Sequence, residues 1–374
     1  MKPLLSIVVP TKDRYPYLKY FIELVLSFKK KEIELVIQDN SEDNKEFLDY
    51  LKSIDTSTII YDHCGTQIPI SDNSDRAILN SSGTYVCFMG DDDGVTSNIL
   101  EYVEWMDSKG LEAIRSDEVN YNWPDYGGPM AGVISHKQLT GNVSYLNPKT
   151  ELIKLLKSGI LDRGRIPLVY HGIVRRDVLD IIYNKCGTYF PGQSPDISNG
   201  VALALVVEKY AFIERPITIS GASKFHGGGS DKNKQKYLDI DARPWLRPHA
   251  SELWDKRVPM IGVGSLIWAE SAITGIKNMK CIEYDRYINF KRIVSHFMLY
   301  NPTLLGLLDK KRFVTPLIIM DYAMLTVKRF LSAGIRRMNW YLNERTRPVN
   351  IKNMHNIKMV SDYLSTNYKG VNNE

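Results

Sequence analysis

The sequence predicts an α/β protein: a parallel sheet with helices on both faces, followed by a mostly helical C-terminal region. Three observations predict it. Short β-branched runs alternate with segments of helical period between Leu4 and Met89. Polar or acidic residues follow the runs directly, which is where open α/β sheets place their ligands. Near residue 230 the strand alternation stops and the charge changes sign. Residues 1–232 hold 25 Lys+Arg against 31 Asp+Glu, a net of −6, and the remainder holds 23 against 12, a net of +11.

Ser6 to Pro10 (SIVVP) reads as a short buried strand closed by proline. Tyr17 to Phe28 has apolar residues at helical spacing. Glu34 to Ile37 reads as a second strand, Asn44 to Ile54 as a helix, and Thr58 to Tyr61 as a third strand. Asp72 to Ser81 reads as a helix, with Gly83 just beyond its end, and Thr84 to Met89 as a fourth strand. From Ala113 to Tyr170 the pattern loosens, and YNWPDYGGPMAG suggests loops. Ile173 to Tyr183 and Ser198 to Glu208 read as helices, and Ala211 to Ile219 as extended chain broken by Pro216. The glycine- and lysine-rich link at Ser230 to Lys236 marks a boundary, giving domains 1–232 and 233–374.

The 374 residues and a charged content of 24% suit a globular protein with a sizeable core. Cys64, Cys87, Cys186 and Cys281 are scattered without metal-site spacing and read as reduced thiols, so a cytoplasmic location is expected. No apolar run is long enough to span a membrane. The basic C-terminal region points instead to an anionic surface as partner.

The chemistry concentrates in FMGDDDGVT, Phe88 to Thr96, where three aspartates close a strand. A hard cation such as Mg²⁺ or Mn²⁺ would relieve their repulsion, and Gly90 and Gly94 would let backbone and phosphate approach. A solvated acidic turn is the plainer alternative.

In order and spacing, SIVVPTKDR, ELVIQDNSED and SDNSDRAILNSSGTYVCFMGDDD resemble an inverting family 2 glycosyltransferase with the GT-A fold, over roughly Leu4 to His226. The likeness is to bacterial members that make surface polysaccharides. It implies that Pro10, Thr11, Asp13 and Arg14 line the base and ribose of a nucleotide-diphosphate sugar. Asp39 would accept the uracil ring N–H, as an acceptor-only carboxylate can, unless it caps a turn. Asn73 and Arg76 would face the donor, or simply form a polar helix face. Asp91 would sit near the ribose or metal, Asp92 near sugar hydroxyls, and Asp93 on the metal, Mn²⁺ or Mg²⁺. Other branches carry an aspartate where this chain has Gly90, so the assignment within the triplet is open by one position.

Inverting transfer needs a general base on the acceptor side. FPGQSPDISNGVALAL matches its place, with Asp196 as the base; an N-cap is the alternative. His226 in SKFHGGGSDK, with Lys232 and Lys234 beyond, matches a loop histidine that meets metal or diphosphate; an ordinary linker is the alternative. His171 reads as a packed strand histidine rather than an acceptor contact. Arg175 and Arg176 read as surface charges at a helix start, and Tyr121 and Trp123 either as acceptor-stacking or as core aromatics.

Leu317 to Asn343 reads as one long helix with Asp321, Lys328, Arg329, Ser332, Arg336, Asn339 and Asn343 gathered on one side. Two readings stand: an interfacial helix on an anionic membrane, or a helix packing its apolar side on the body with its basic side in water. The first suits a glycan or lipid-linked oligosaccharide acceptor at the inner face of the plasma membrane. No nucleic-acid module is apparent. Monomer and homo-oligomer are equally open. The rival functions are a sugar-phosphate nucleotidyltransferase, disfavoured because PTKDRYPY lacks a glycine-rich loop, and a nucleotide-sugar-binding module that has lost catalysis.

Overall fold

The computed structural model describes residues 2–224, 237–243, 245–343 and 347–368. His226, Lys232, Lys234 and the 232/233 boundary lie outside the described residues. The chain runs β1 (Leu5–Thr11), α1 (Tyr15–Ser27), β2 (Ile33–Asp39), α2 (Lys45–Lys52), β3 (Ile59–His63), α3 (Ile70–Leu79), β4 (Tyr85–Phe88), β5 (Gly94–Val95), α4 (Ile99–Lys109), β6 (Ala113–Ser116), β7 (Val119–Asn122), β8 (Val133–His136), β9 (Val143–Leu146), α5 (Pro148–Ser158), β10 (Gly172–Arg175), α6 (Arg176–Cys186), α7 (Pro195–Val206), β11 (Tyr210–Ile213) and β12 (Thr218–Ala222). Then follow α8 (Ala250–Leu253), α9 (Gly264–Asn278), α10 (Phe290–Tyr300), α11 (Lys310–Phe313), α12 (Pro316–Leu342), β13 (Val349–Ile351) and α13 (Ile357–Asn367).

Eight strands form the main sheet in the order β3-β2-β1-β4-β10-β6-β11-β9. The first four are parallel, as expected, with Thr11 beside Asp39 and Asp39 beside His63 at their carboxyl ends. Beyond β4 the sheet is mixed: β10 runs antiparallel to both β4 and β6. This corrects the parallel expectation. It also shows that Ile173 to Tyr183 begins as strand and turns to helix at Arg176 without an intervening loop.

The continuous apolar runs are explained by burial on both faces of the sheet. Because successive side chains alternate, Ile7, Val9, Leu35 and Ile37 join one core with Phe21 and Val103. Val8, Val36 and Val86 join the other with Ala77, Val201 and Phe297. That second core takes in Leu266, Ile273 and Ile293, so helices from the C-terminal region share the core on this face of the sheet, α9 packing against α7. The architecture is GT-A-like, with a mixed sheet and a mostly helical C-terminal part.

A second, five-stranded sheet has the order β13-β8-β7-β12-β5. Two of its strands, β7 and β8, come from the segment that reads as loops in the sequence. Tyr121 and Trp123 are buried in its core beside Tyr17, and are not available for stacking on a ligand. The strand β5 follows the aspartate triplet immediately, so residues 89–93 carry the chain from one sheet to the other.

The long helix α12 also corrects the sequence reading of a helix laying its apolar side on the body. Its packed side holds Ile318, Asp321 and Leu325, with Asp321 paired to Arg292 of α10 at 2.8 Å. The apolar side faces outward.

Candidate active site

The strand ends open into a cavity of about 620 Å³. Pro10, Thr11, Lys12 and Arg14 from the β1 end line one wall, with Asn40 after β2. Asn73 and Ser74 of α3 line another, Gly90, Asp91 and Asp92 the floor, and Ser194, Pro195 and Asp196 the far side. Seven of the twelve residues expected at the site therefore meet in one place: Pro10, Thr11, Arg14, Asn73, Asp91, Asp92 and Asp196. Asp13, Asp39, Arg76 and Asp93 are not among the lining residues, and His226 is not described.

The triplet divides into two parts. Asp91 accepts from the Thr11 hydroxyl at 2.7 Å, and its other oxygen lies 3.1 Å from the Arg14 guanidinium. Asp92 accepts from Ser223 Oγ at 2.7 Å and also meets Arg14. Burial pushes Asp91 up to about 7, Arg14 opposes that, and Asp92 adds to it. Asp92 is raised as well, by burial and by Asp93. Burial works to lower the Arg14 guanidinium, but Asp91, Asp92 and Asp93 outweigh it and raise it. Among the described ion pairs, the Arg14 guanidinium thus serves both buried carboxylates.

Asp93 faces the other way. Its Oδ2 accepts from Gly90 N–H at 2.7 Å and the Tyr170 hydroxyl at 3.0 Å and lies 3.3 Å from His171 Nε2, while Oδ1 accepts from Gly221 N–H at 2.8 Å. Burial works against its charge, but His171 and the two backbone donors more than compensate and hold it below the usual range. Gly221 is needed for this approach, since a Cβ there would stand 1.7 Å from the Asp92 carbonyl oxygen. Gly94, expected to admit phosphate, instead packs against Ile357, which a Cβ would meet at 2.4 Å. His171 is a packed residue with a charge partner, held at φ +58° just before β10.

Asp39 is fully buried and has donors of its own. The hydroxyls of Tyr15 and Tyr61 reach its Oδ2 at 2.7 and 2.8 Å, and Ser41 N–H reaches Oδ1 at 2.9 Å. Asn40 lines the cavity in its place; its amide donates to the Cys64 and Thr66 carbonyls, and Ile68 N–H donates to it. Asp13 takes a left-handed conformation at φ +56° and donates its N–H to Ser41. Arg76 is exposed on α3, whereas Asn73 is buried with its Oδ1 unpartnered.

Asp196 is not the helix cap. Ser194 holds that position, and Asp196 stands in the first turn of α7, half-buried at the cavity. Its Oδ1 accepts from Ser194 Oγ at 2.5 Å and from Ile197 N–H at 2.8 Å. The start of α7 is fixed from the C-terminal region, where Ser271 of α9 accepts the Ser194 N–H at 2.8 Å. Arg163 lies over the Tyr170 ring, held charged against burial by Glu118 and then Asp196. Arg175 pairs with Asp177 at the surface, and Arg176 donates to the Gly83 carbonyl.

Sequence reasoning missed Lys12, Tyr170 and Trp245. Trp245 reaches the cavity from the C-terminal region, and its carbonyl accepts Ile70 N–H at 3.2 Å. Only Lys12 carried a signal, through its place between two expected residues.

Residues 6–146 match the family model described as Glycosyl transferase family 2. No curated protein matches in sequence. Among solved structures, the chain is similar to S. aureus TarS 1-349 in complex with UDP-GlcNAc, at 14% identity and a TM-score of 0.47, covering 84% of this chain and 89% of that one. S. aureus TarS 1-349 also matches, at 16% identity and a TM-score of 0.44, over 59% of this chain and 60% of that one. The N-terminal, strand-bearing part of the chain is therefore similar to glycosyl transferase family 2.

Proposed function

We propose that the protein is an inverting glycosyltransferase that moves a sugar from a nucleoside-diphosphate donor, with UDP the first to test, to a hydroxyl of a glycan acceptor in surface-polysaccharide synthesis. The observation that carries this reading is that Asp91, Asp92 and Asp196 line one and the same cavity at the strand ends.

A divalent cation fits the floor. Among the described residues no three acidic, His or Cys side chains group as a ligand set, but Mg²⁺ usually takes one or two carboxylates plus substrate phosphates. Asp91 and Asp92 supply two, and Asp91 Oδ1, 3.1 Å from the Arg14 guanidinium, makes no well-aligned hydrogen bond. The ion would act as a Lewis acid toward the diphosphate. Asp93 clamps the floor to Gly221 and His171. Asp39 positions the β1 end through Tyr15 and Ser41, while Lys12 and Arg14 face the diphosphate.

Asp196 removes the acceptor proton. Ser194 and Ile197 occupy its Oδ1, so Oδ2 takes the proton as the acceptor oxygen bonds to the anomeric carbon and the bond to the diphosphate breaks. Nucleoside diphosphate leaves, and the configuration inverts. Calorimetry with UDP, dTDP, GDP and CDP, with Mn²⁺ and then with chelator, tests the reading. Metal-dependent binding of one nucleotide supports it, and no binding to any of the four overturns it.

A further inference from the structure

Helix α12 places apolar side chains where a water-facing helix has polar ones. Its buried residues meet α10, where Ser295 Oγ donates to the Ile318 carbonyl at 3.1 Å. On the opposite side Met324, Val327, Phe330, Leu331, Ile335 and Met338 are all exposed, Phe330 by 74%. At 100° per residue these six fall within an arc of about 140°. Lys328 borders the arc on one side and Arg337 on the other. An apolar patch of this extent, rimmed by polar groups, marks an interaction surface.

Charge selects the occupant. Between Asp321 and Glu344 the chain carries Lys328, Arg329, Arg336 and Arg337 and no carboxylate. A second copy laid on this face would bring the bordering Lys328 and Arg337 against the same pair, and the one acidic group of the helix, Asp321, is on the packed side with Arg292. An anionic lipid surface offers both an apolar interior and the complementary charge. Among the described residues no helix is long and apolar enough to cross a membrane. We propose that α12 docks the protein on an anionic lipid surface, lying in its plane with the apolar arc among the acyl chains and Lys328 and Arg337, at the two edges of the arc, at headgroup level. The inference rests on α12 alone and stands independently of the glycosyl-transfer reading.

The test is co-sedimentation of the full chain with phosphatidylcholine vesicles, with and without about one-third phosphatidylglycerol. Binding to the anionic vesicles alone is expected. The triple variant Phe330→Glu, Ile335→Glu and Met338→Glu should lower it about tenfold or more, with an unchanged melting temperature because all three sites are exposed. Replacing Lys328 and Arg337 by Gln should lower it too. Absence of binding by the parent chain overturns the proposal, as does undiminished binding by the Glu variant, which would make the contact electrostatic only. Light scattering supplies the remaining arm: a dimer that the Glu variant splits, without vesicle binding by either chain, would assign the face to a second copy.

Discussion

The cavity floor and helix α12 depart from the ordinary distribution of polarity in opposite directions. At the floor, three carboxylates are buried, and two of them share one guanidinium. On α12, large apolar side chains stand in water. Neither is fully satisfied among the described residues. The floor lacks positive charge and the helix lacks an apolar cover, so each points to something outside the protein, a metal–diphosphate in one case and a lipid surface in the other. Their immediate neighbours show what satisfaction looks like. Asp93 has a histidine and three hydrogen-bond donors, and Ile318 and Leu325 pack beside α10.

The largest effect that would sharpen this contrast is on rate. Asp196→Asn should lower transfer by roughly 10²–10⁴-fold while nucleotide affinity measured by calorimetry stays nearly intact. A parallel loss of affinity would move Asp196 from base to donor contact. Next comes the division of the triplet. Asp93→Ala strands a buried histidine and three donors, and should lower stability to denaturant by about 3–5 kcal/mol. Asp91→Asn should instead leave stability intact and abolish the metal dependence of nucleotide binding. If the two variants behave alike, the triplet is one site and not two.

A smaller effect lies away from the cavity, at Glu270 of α9, which is 2% exposed. Burial raises it to about 7 from 4.5, against the Thr274 hydroxyl and Lys277. The folded state therefore holds this proton more tightly than the unfolded one. The corresponding stability is fully present below about pH 4.5 and is lost as pH rises through 7. Glu270→Gln should flatten that part of the profile, by at most about 3 kcal/mol at pH 8, in melts across the range. The smallest effect is on α12, where Phe330→Ser should change stability by within about 0.5 kcal/mol. A larger loss would mean that the face is covered within the chain.

The first four strands and their helices were legible because they are buried on both faces and read as unbroken β-branched runs. The small sheet was not. VNYN and VISH are four-residue strands with polar alternates, beside a glycine-rich turn that dominates the local pattern. Strand β10 was hidden because GIVR runs into RRDVLDIIY with no turn signal. At the site, residues next to strand ends were legible, while Tyr170 and Trp245 were not, since only folding brings them to the cavity. Asp39 shows the limit of motif reasoning: the motif marks its position, and only the tyrosines on α1 and β3 reveal that its carboxylate is already engaged. The outward face of α12 depended on Arg292, which draws Asp321 inward and so fixes the helix's rotation.

Helix α13 has a consequence for how the protein is made. Ile357 fills the space against Gly94, Ser361 Oγ donates to the Val95 carbonyl at 2.8 Å, and Ser365 accepts the Ser97 N–H at 3.0 Å. The chain leaving the aspartates is thus held in place by residues translated more than 250 positions later. At about 5–20 residues per second, synthesis of that interval takes tens of seconds. The nascent chain carries its acidic turn through that time without the support that fixes it, and a ribosome stalled before residue 357 would display a nearly complete sheet with an unfinished pocket.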